Sequence, residues 1–158
     1  MTKEKIQDAI YTRRYVYNFH YHLIWATKYR HQTFSTKELA DEMKDILRMV
    51  AKDNEIVIEK MEVMPDHVHV LISFPPSKAP TSAIKALKGR SAFIFLKRHP
   101  EIRQSQYWGG HLWSSSYYMS TLGNMSKDVA ENYNIFAKNS FARSVLGALK
   151  KSFGLPFS

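Results

Sequence analysis

Three features of this 158-residue chain predict an α+β fold. Apolar residues alternate with polar ones in several short segments, the period of strands with one buried face. Between these segments lie stretches where apolar residues recur at helical spacing. The resulting order is β-α-β-β-α-β followed by a helix. That is the split βαβ, ferredoxin-like (RRM-like) arrangement, an antiparallel sheet with two helices against one face. The length suits one domain with a sizeable core. It divides into an N-terminal extension over 1–14, a domain over 15–140 and a basic tail over 141–158.

The first strand is predicted over residues 15–27, "YVYNFHYHLIWAT". Tyr15, Tyr17, Phe19, Tyr21, Leu23 and Trp25 take one side, while Asn18, His20 and His22 share the other with Val16 and Ile24. Ser35 with Glu38 three residues later forms a capping box. Leu39, Met43, Ile46, Leu47 and Val50 then mark a helix to about residue 53. A second strand is expected over 55–63, with a phase shift at Glu59 that suggests a bulge. "MPD" is turn chemistry, and a third strand over 67–74 completes a hairpin. Pro80 suits the first turn of a second helix, which is expected to stop before Pro100. A glycine turn and a fourth strand near 111–121 follow. Ser126 caps a last helix to about residue 139.

Composition narrows the function. There are no cysteines, which excludes disulfides and thiolate metal sites. No apolar run reaches the length of a membrane span, and the N-terminus lacks the apolar segment of a signal peptide, so a cytoplasmic protein without a membrane role is expected. Lys and Arg number 23 against 14 Asp and Glu, and aromatic residues make up 13%. A net charge of +9 with that aromatic content favours a polyanionic partner, nucleic acid above all.

The chemistry-bearing feature is His67-Val68-His69 at the start of the third strand. Val68, Val70, Ile72 and Phe74 face the core, so His67 and His69 share the opposite, open face with Leu71 and Ser73. Two neutral imidazoles on one face can ligate a divalent cation. They can equally be half-buried rings satisfied by neighbours, and the spacing alone does not choose. His20 and His22 form a second such pair in the first strand, where neighbouring aromatic and polar residues favour a structural role. In this topology the first and third strands are adjacent, which brings His22 near the site without making it a ligand. Tyr133 lies on the last helix in one stripe with Val129 and Phe136, and among nine tyrosines spacing alone does not single it out as more than a core aromatic.

"YHLIWATKYRHQTF", "MEVMPDHVHVLISFPP", "IKALKGRSA" and "YWGGHLWSSSYYMST" together resemble the single-tyrosine HUH transposases of the insertion-sequence 200/605 class, the IS200-like transposases. HUH denotes histidine, a hydrophobic residue, histidine. The resemblance implies that His67 and His69 bind Mg²⁺ or Mn²⁺ and that Tyr133 is the nucleophile. It implies cleavage and rejoining of single-stranded DNA carrying subterminal hairpins at mobile-element ends, through a 5′-phosphotyrosine. It also implies a homodimer whose active sites form in trans, each tyrosine helix meeting the partner's histidines. The chain departs from the family at Ala137, where a Gln or Glu one turn beyond the tyrosine would supply a third ligand. Either DNA and water complete the metal shell, or the site is weakened. That departure keeps a non-catalytic single-stranded nucleic-acid-binding module as a rival, beside another single-tyrosine HUH nuclease such as a replication initiator. Lys28, Arg30, His31, Lys85, Lys88 and Arg90 form a candidate nucleic-acid-binding set, with Trp108, Trp113 and Tyr117 for base stacking.

Overall fold

The computed structural model describes residues 9–121, apart from 12, 14, 15 and 18. Tyr133, Ala137, the helix expected after Ser126 and the basic tail lie outside the described residues.

A four-stranded antiparallel sheet carries the fold, built from β3 (Tyr21–Ala26), β4 (Val57–Met64), β5 (His67–Ser73) and β6 (Tyr118–Thr121) in the order β4-β5-β3-β6. Two short strands, β1 (Ile10–Tyr11) and β2 (Val16–Tyr17), pair with each other and, among the described residues, with no other strand. The single strand expected over 15–27 is therefore divided, with Phe19 and His20 between its parts. Alternation continues through the break, but strand length follows backbone partners. Pairing from β5 and β6 begins at Tyr21, opposite Ile72 and Thr121. The expected bulge is present, since the β4–β5 register shifts between Ile58 and Lys60.

Helix α1 (Lys37–Asp53) lays Met43, Ile46, Leu47 and Val50 against the sheet. Its cap is Thr36, not Ser35: the Thr36 backbone is extended and its hydroxyl accepts from the Leu39 amide at 3.4 Å. Both residues are hydroxylated, so composition does not separate them. The second helical region begins at Pro80 as α2 (Pro80–Lys85), widens into a π turn over Ala86–Arg90, and continues as α3 (Ser91–Arg98). It ends before Pro100 as expected. Pro100 then opens a further helix, α4 (Pro100–Gln106), because a proline that cannot continue one helix is well suited to start the next.

Leu23 and Trp25 from β3 and Val68, Val70 and Ile72 from β5 meet the helices in one apolar core. The predicted face assignment of β5 thus holds on its core side. The opposite face, expected to be open, is covered: Ile24, His69, Leu71 and Ser73 are all buried. Its apolar residues gain by leaving water, and they carry the imidazoles with them. The strand expected over 111–121 is also shorter, with an isolated bridge from Trp113 to Thr27 and regular pairing only from Tyr118. The Lys88 ammonium donates to the carbonyls of Ser114 and Ser116 at 2.7 and 3.2 Å, which holds this segment as a loop. Among the described residues no helix is long and apolar enough to cross a membrane.

Phe95 is fully buried and packs against Phe34 with ring centres 5.2 Å apart. Phe95→Ala is expected to destabilise the fold by about 3–5 kcal/mol, the usual cost of emptying such a site. Denaturant unfolding of the two proteins checks this.

Candidate metal centre on the sheet

Cross-strand register decides which side chains meet. Ile24 lies opposite His69 and Ala26 opposite His67, while His22 is opposite Leu71. On the other side of β5, Glu62 pairs with His69 and Met64 with His67. The rings of His67 and His69 lie side by side, 4.9 Å apart between centres and inclined at 47°. His22 meets His69 edge-on at 6.2 Å. The histidine expected near the site is thus beside it.

His69 is 2% exposed. Burial, followed by the proximity of His67 and then His22, drives its basicity far below the ordinary histidine value. Burial likewise pushes His22 down to about 4. Both rings are neutral near pH 7, the form in which an imidazole offers a lone pair to a metal. His67 stands at the mouth of the pair, with its side chain 13% exposed. Its Nδ1 is 2.6 Å from Asp66 Oδ1. A carboxylate only accepts, so Nδ1 donates, which leaves Nε2 as the nitrogen that can offer a lone pair. These features fit a divalent cation. Among the described residues, however, no group of three or more His, Asp or Glu is arranged to hold a metal ion.

The β4–β5 turn, Pro65-Asp66, is held from below. The Thr27 amide donates to the Asp66 carbonyl at 2.9 Å, and the Phe34 amide to that of Pro65 at 3.0 Å. Arg30 Nε donates to Asp66 Oδ2 at 3.1 Å. Burial opposes ionisation of Asp66, but the hydrogen bond from His67 and the Arg30 charge outweigh it and hold the carboxyl below its ordinary range. Asp66 belongs to the site although the sequence marks it only as a turn residue. Its adjacency to the histidine pair is the one signal that could have found it.

The predicted nucleic-acid set separates by exposure. Lys85 and Arg90 are exposed, and Arg90 lies over the ring of Phe93 at 5.5 Å. Lys28 is half-buried, with its ammonium 5.2 Å from the ring centre of Tyr29. His31 is half-buried between Tyr29 and Tyr107. Lys88 is tied to the Ser114 and Ser116 carbonyls, and burial pushes it down to about 8. Arg30 is buried against Asp66. Trp108, 84% exposed, and Tyr117 remain at the surface. Trp113 does not: it packs edge-on to Trp25 at 5.7 Å and donates from Nε1 to Ser91 Oγ at 3.0 Å.

Fold and site together define an α+β protein with paired histidines on one face of an antiparallel sheet. Residues 15–134 match the family model described as "Transposase IS200 like". Over 121 residues the chain is 45% identical to the ISDra2 transposase TnpA of Deinococcus radiodurans, covering 77% of this chain and 85% of that one. It is 30% identical over 107 residues to the transposase for insertion sequence element IS200 of Salmonella typhimurium, 68% of this chain and 69% of the other. A crystal structure of a candidate transposase from Deinococcus radiodurans R1 superposes with a TM-score of 0.65 at 42% identity, covering 78% of this chain and 94% of that one. A REP-associated tyrosine transposase bound to a REP hairpin shares the fold, with a TM-score of 0.51 at 17% identity over 78% of this chain and 67% of its own. The chain belongs to the IS200-like transposase family.

The buried imidazoles set an acid limit on stability. The unfolded chain protonates His22 below about pH 6.5, while the folded chain resists protonation until about 4. The unfolded state therefore binds more protons in that window, and stability falls as pH drops through it. His22 alone contributes a loss of roughly 2 kcal/mol at pH 5, and His69 acts in the same direction. Urea midpoints at pH 7 and 5 should diverge, and His22→Gln should narrow the difference.

Proposed function

We propose that this protein is a DNA transposase that cuts and rejoins single-stranded DNA at the ends of a mobile element by metal-dependent tyrosine transesterification. The observation that carries the reading is the pair of histidine rings 4.9 Å apart on one sheet face, in a chain of the IS200-like transposase family. The domain is the ferredoxin-like split βαβ arrangement, with the tyrosine-bearing helix after β6. The proposed site is completed in a cytoplasmic homodimer, where the helix of one protomer serves the histidines of its partner.

In this reading His67 and His69 hold Mg²⁺ or Mn²⁺. A cation held there would supply Lewis-acid polarisation of the scissile phosphate and offset charge developing on its oxygens. Tyr133 contributes the nucleophile. Its hydroxyl oxygen bonds to phosphorus as the P–O bond to the 3′ oxygen breaks, giving a 5′-phosphotyrosine and a free 3′-hydroxyl. Because one phosphodiester replaces another, a later 3′-hydroxyl reseals the strand without an energy source. Lys85, Arg90 and Lys28 are proposed to meet phosphates of a subterminal DNA hairpin, with Trp108 and Tyr117 against unpaired bases.

Mixing the protein with labelled single-stranded element ends and Mg²⁺ or Mn²⁺ is expected to give a denaturation-resistant adduct that EDTA and Tyr133→Phe each abolish. An adduct that survives Tyr133→Phe would move the nucleophile to another tyrosine. For the dimer, a His67→Ala, His69→Ala protomer mixed with a Tyr133→Phe protomer should recover cleavage, since one composite site then holds all three groups. Heterodimers that remain inactive would favour a site within one chain.

A second reading, a non-catalytic single-stranded DNA-binding module, is favoured by Ala137 in place of a third ligand. It gives binding without an adduct. Under the catalytic reading, Ala137→Gln lowers the Mg²⁺ concentration for half-maximal cleavage and leaves DNA binding in EDTA unchanged. An unchanged midpoint would mean that residue 137 does not serve the ion.

A further inference from the structure

We infer that Asp66 and Arg30 are positioning residues for the histidine pair: Arg30 anchors the Asp66 carboxylate, and Asp66 fixes His67 with Nδ1 protonated and Nε2 free to face a cation. The inference rests on the metal-site reading proposed above.

The carboxylate is divided between two tasks. Oδ2 accepts from Arg30 Nε at 3.1 Å, and Oδ1 faces His67 Nδ1 at 2.6 Å. Each contact restrains the carboxylate in a different direction, so its rotation is fixed, and with it the tautomer and tilt of the imidazole. Arg30 is only 5% exposed, so it is poorly placed for phosphate contact from solvent. A buried guanidinium is tolerated where a carboxylate compensates it, which gives the Arg30–Asp66 contact its structural sense.

The backbone supports the same arrangement. Tyr29 and Arg30 have φ of 60° and 54°, the left-handed region that side-chain-bearing residues seldom occupy. This reversal returns the chain beneath the β4–β5 turn. The Thr27 amide donates to the Asp66 carbonyl at 2.9 Å, and the Thr27 hydroxyl lies 2.8 Å from the His31 carbonyl and 3.2 Å from that of Asp66. Residues 27–31 thus brace Asp66 by main chain and side chain together. A turn that served only to connect strands would require neither the buried arginine nor the strained backbone.

The test uses the full chain with ¹⁵N-labelled histidine. Long-range proton–nitrogen correlation spectra read the ring tautomers without metal, and Mn²⁺ titration followed by electron paramagnetic resonance reads affinity without DNA. His67 of the wild type should appear as the Nδ1–H tautomer. Asp66→Ala should abolish that preference and weaken Mn²⁺ binding about 10- to 100-fold, the usual effect of losing such a partner. Arg30→Gln should weaken binding in the same direction, and Arg30→Lys should recover part of the loss. If either Asp66→Ala or Arg30→Gln fails to fold, Asp66→Asn, which keeps size and one acceptor, should still show a smaller loss. An Nε2–H tautomer in the wild type overturns the inference. So does an Asp66 variant with unchanged tautomer and affinity. A His67→Ala protein that binds Mn²⁺ as tightly as the wild type overturns the metal site itself, a failure separable from the tautomer result.

Discussion

The antiparallel register between β3 and β5 is the constraint on which the candidate site depends. With Ile24 opposite His69 and Leu23 opposite Val70, alternate side chains are sorted onto two faces without ambiguity. Leu23, Trp25, Val68, Val70 and Ile72 pack under the helices, and the imidazoles go to the other side. A slip of one residue would carry both histidines into the helix-packed core and bring valines to the site, so burial of the apolar set enforces the placement of the polar one.

Burial then shapes the chemistry. A histidine on a solvated strand would titrate near neutrality, whereas His69 and His22 sit where a positive ring is unfavourable. The site is therefore held as a set of lone-pair donors instead of a cationic patch, which suits a metal and not a bare phosphate. Around it, the positive charge of the chain separates into two populations. Arg30 and Lys88 are committed to internal carboxylate and carbonyl partners, while Lys85 and Arg90 face solvent.

Much of this was legible in the sequence wherever a period could be counted. The core face of β5, the stripe of α1, the bulge near Glu59 and the stop before Pro100 all follow from spacing and local sterics. What escaped depends on partners far along the chain. Alternation over 15–27 gives no sign that β2 pairs with β1 and that the sheet begins at Tyr21. Nothing local to "SSSYY" shows that Lys88 satisfies the Ser114 and Ser116 carbonyls and so delays β6. Arg30 and Asp66 are separated by 36 positions, so their pairing is set by topology and not by either motif. The histidine pair is visible from its motif, but the acid beside it has the signature of a turn residue, because turns and hydrogen-bond acceptors draw on the same residue types.

The Pro65-Asp66 connection is as short as a hairpin permits, with Met64 and His67 paired directly across it. Asp66 therefore serves as corner, acceptor and spacer at once. Lengthening the loop by one residue would separate the acid from the imidazole or shift the strand after it, and either change would dismantle the corner beneath His67. The 74–79 segment between β5 and α2 has no such triple duty. Through divergence, length variation should accumulate there and not at the hairpin corner.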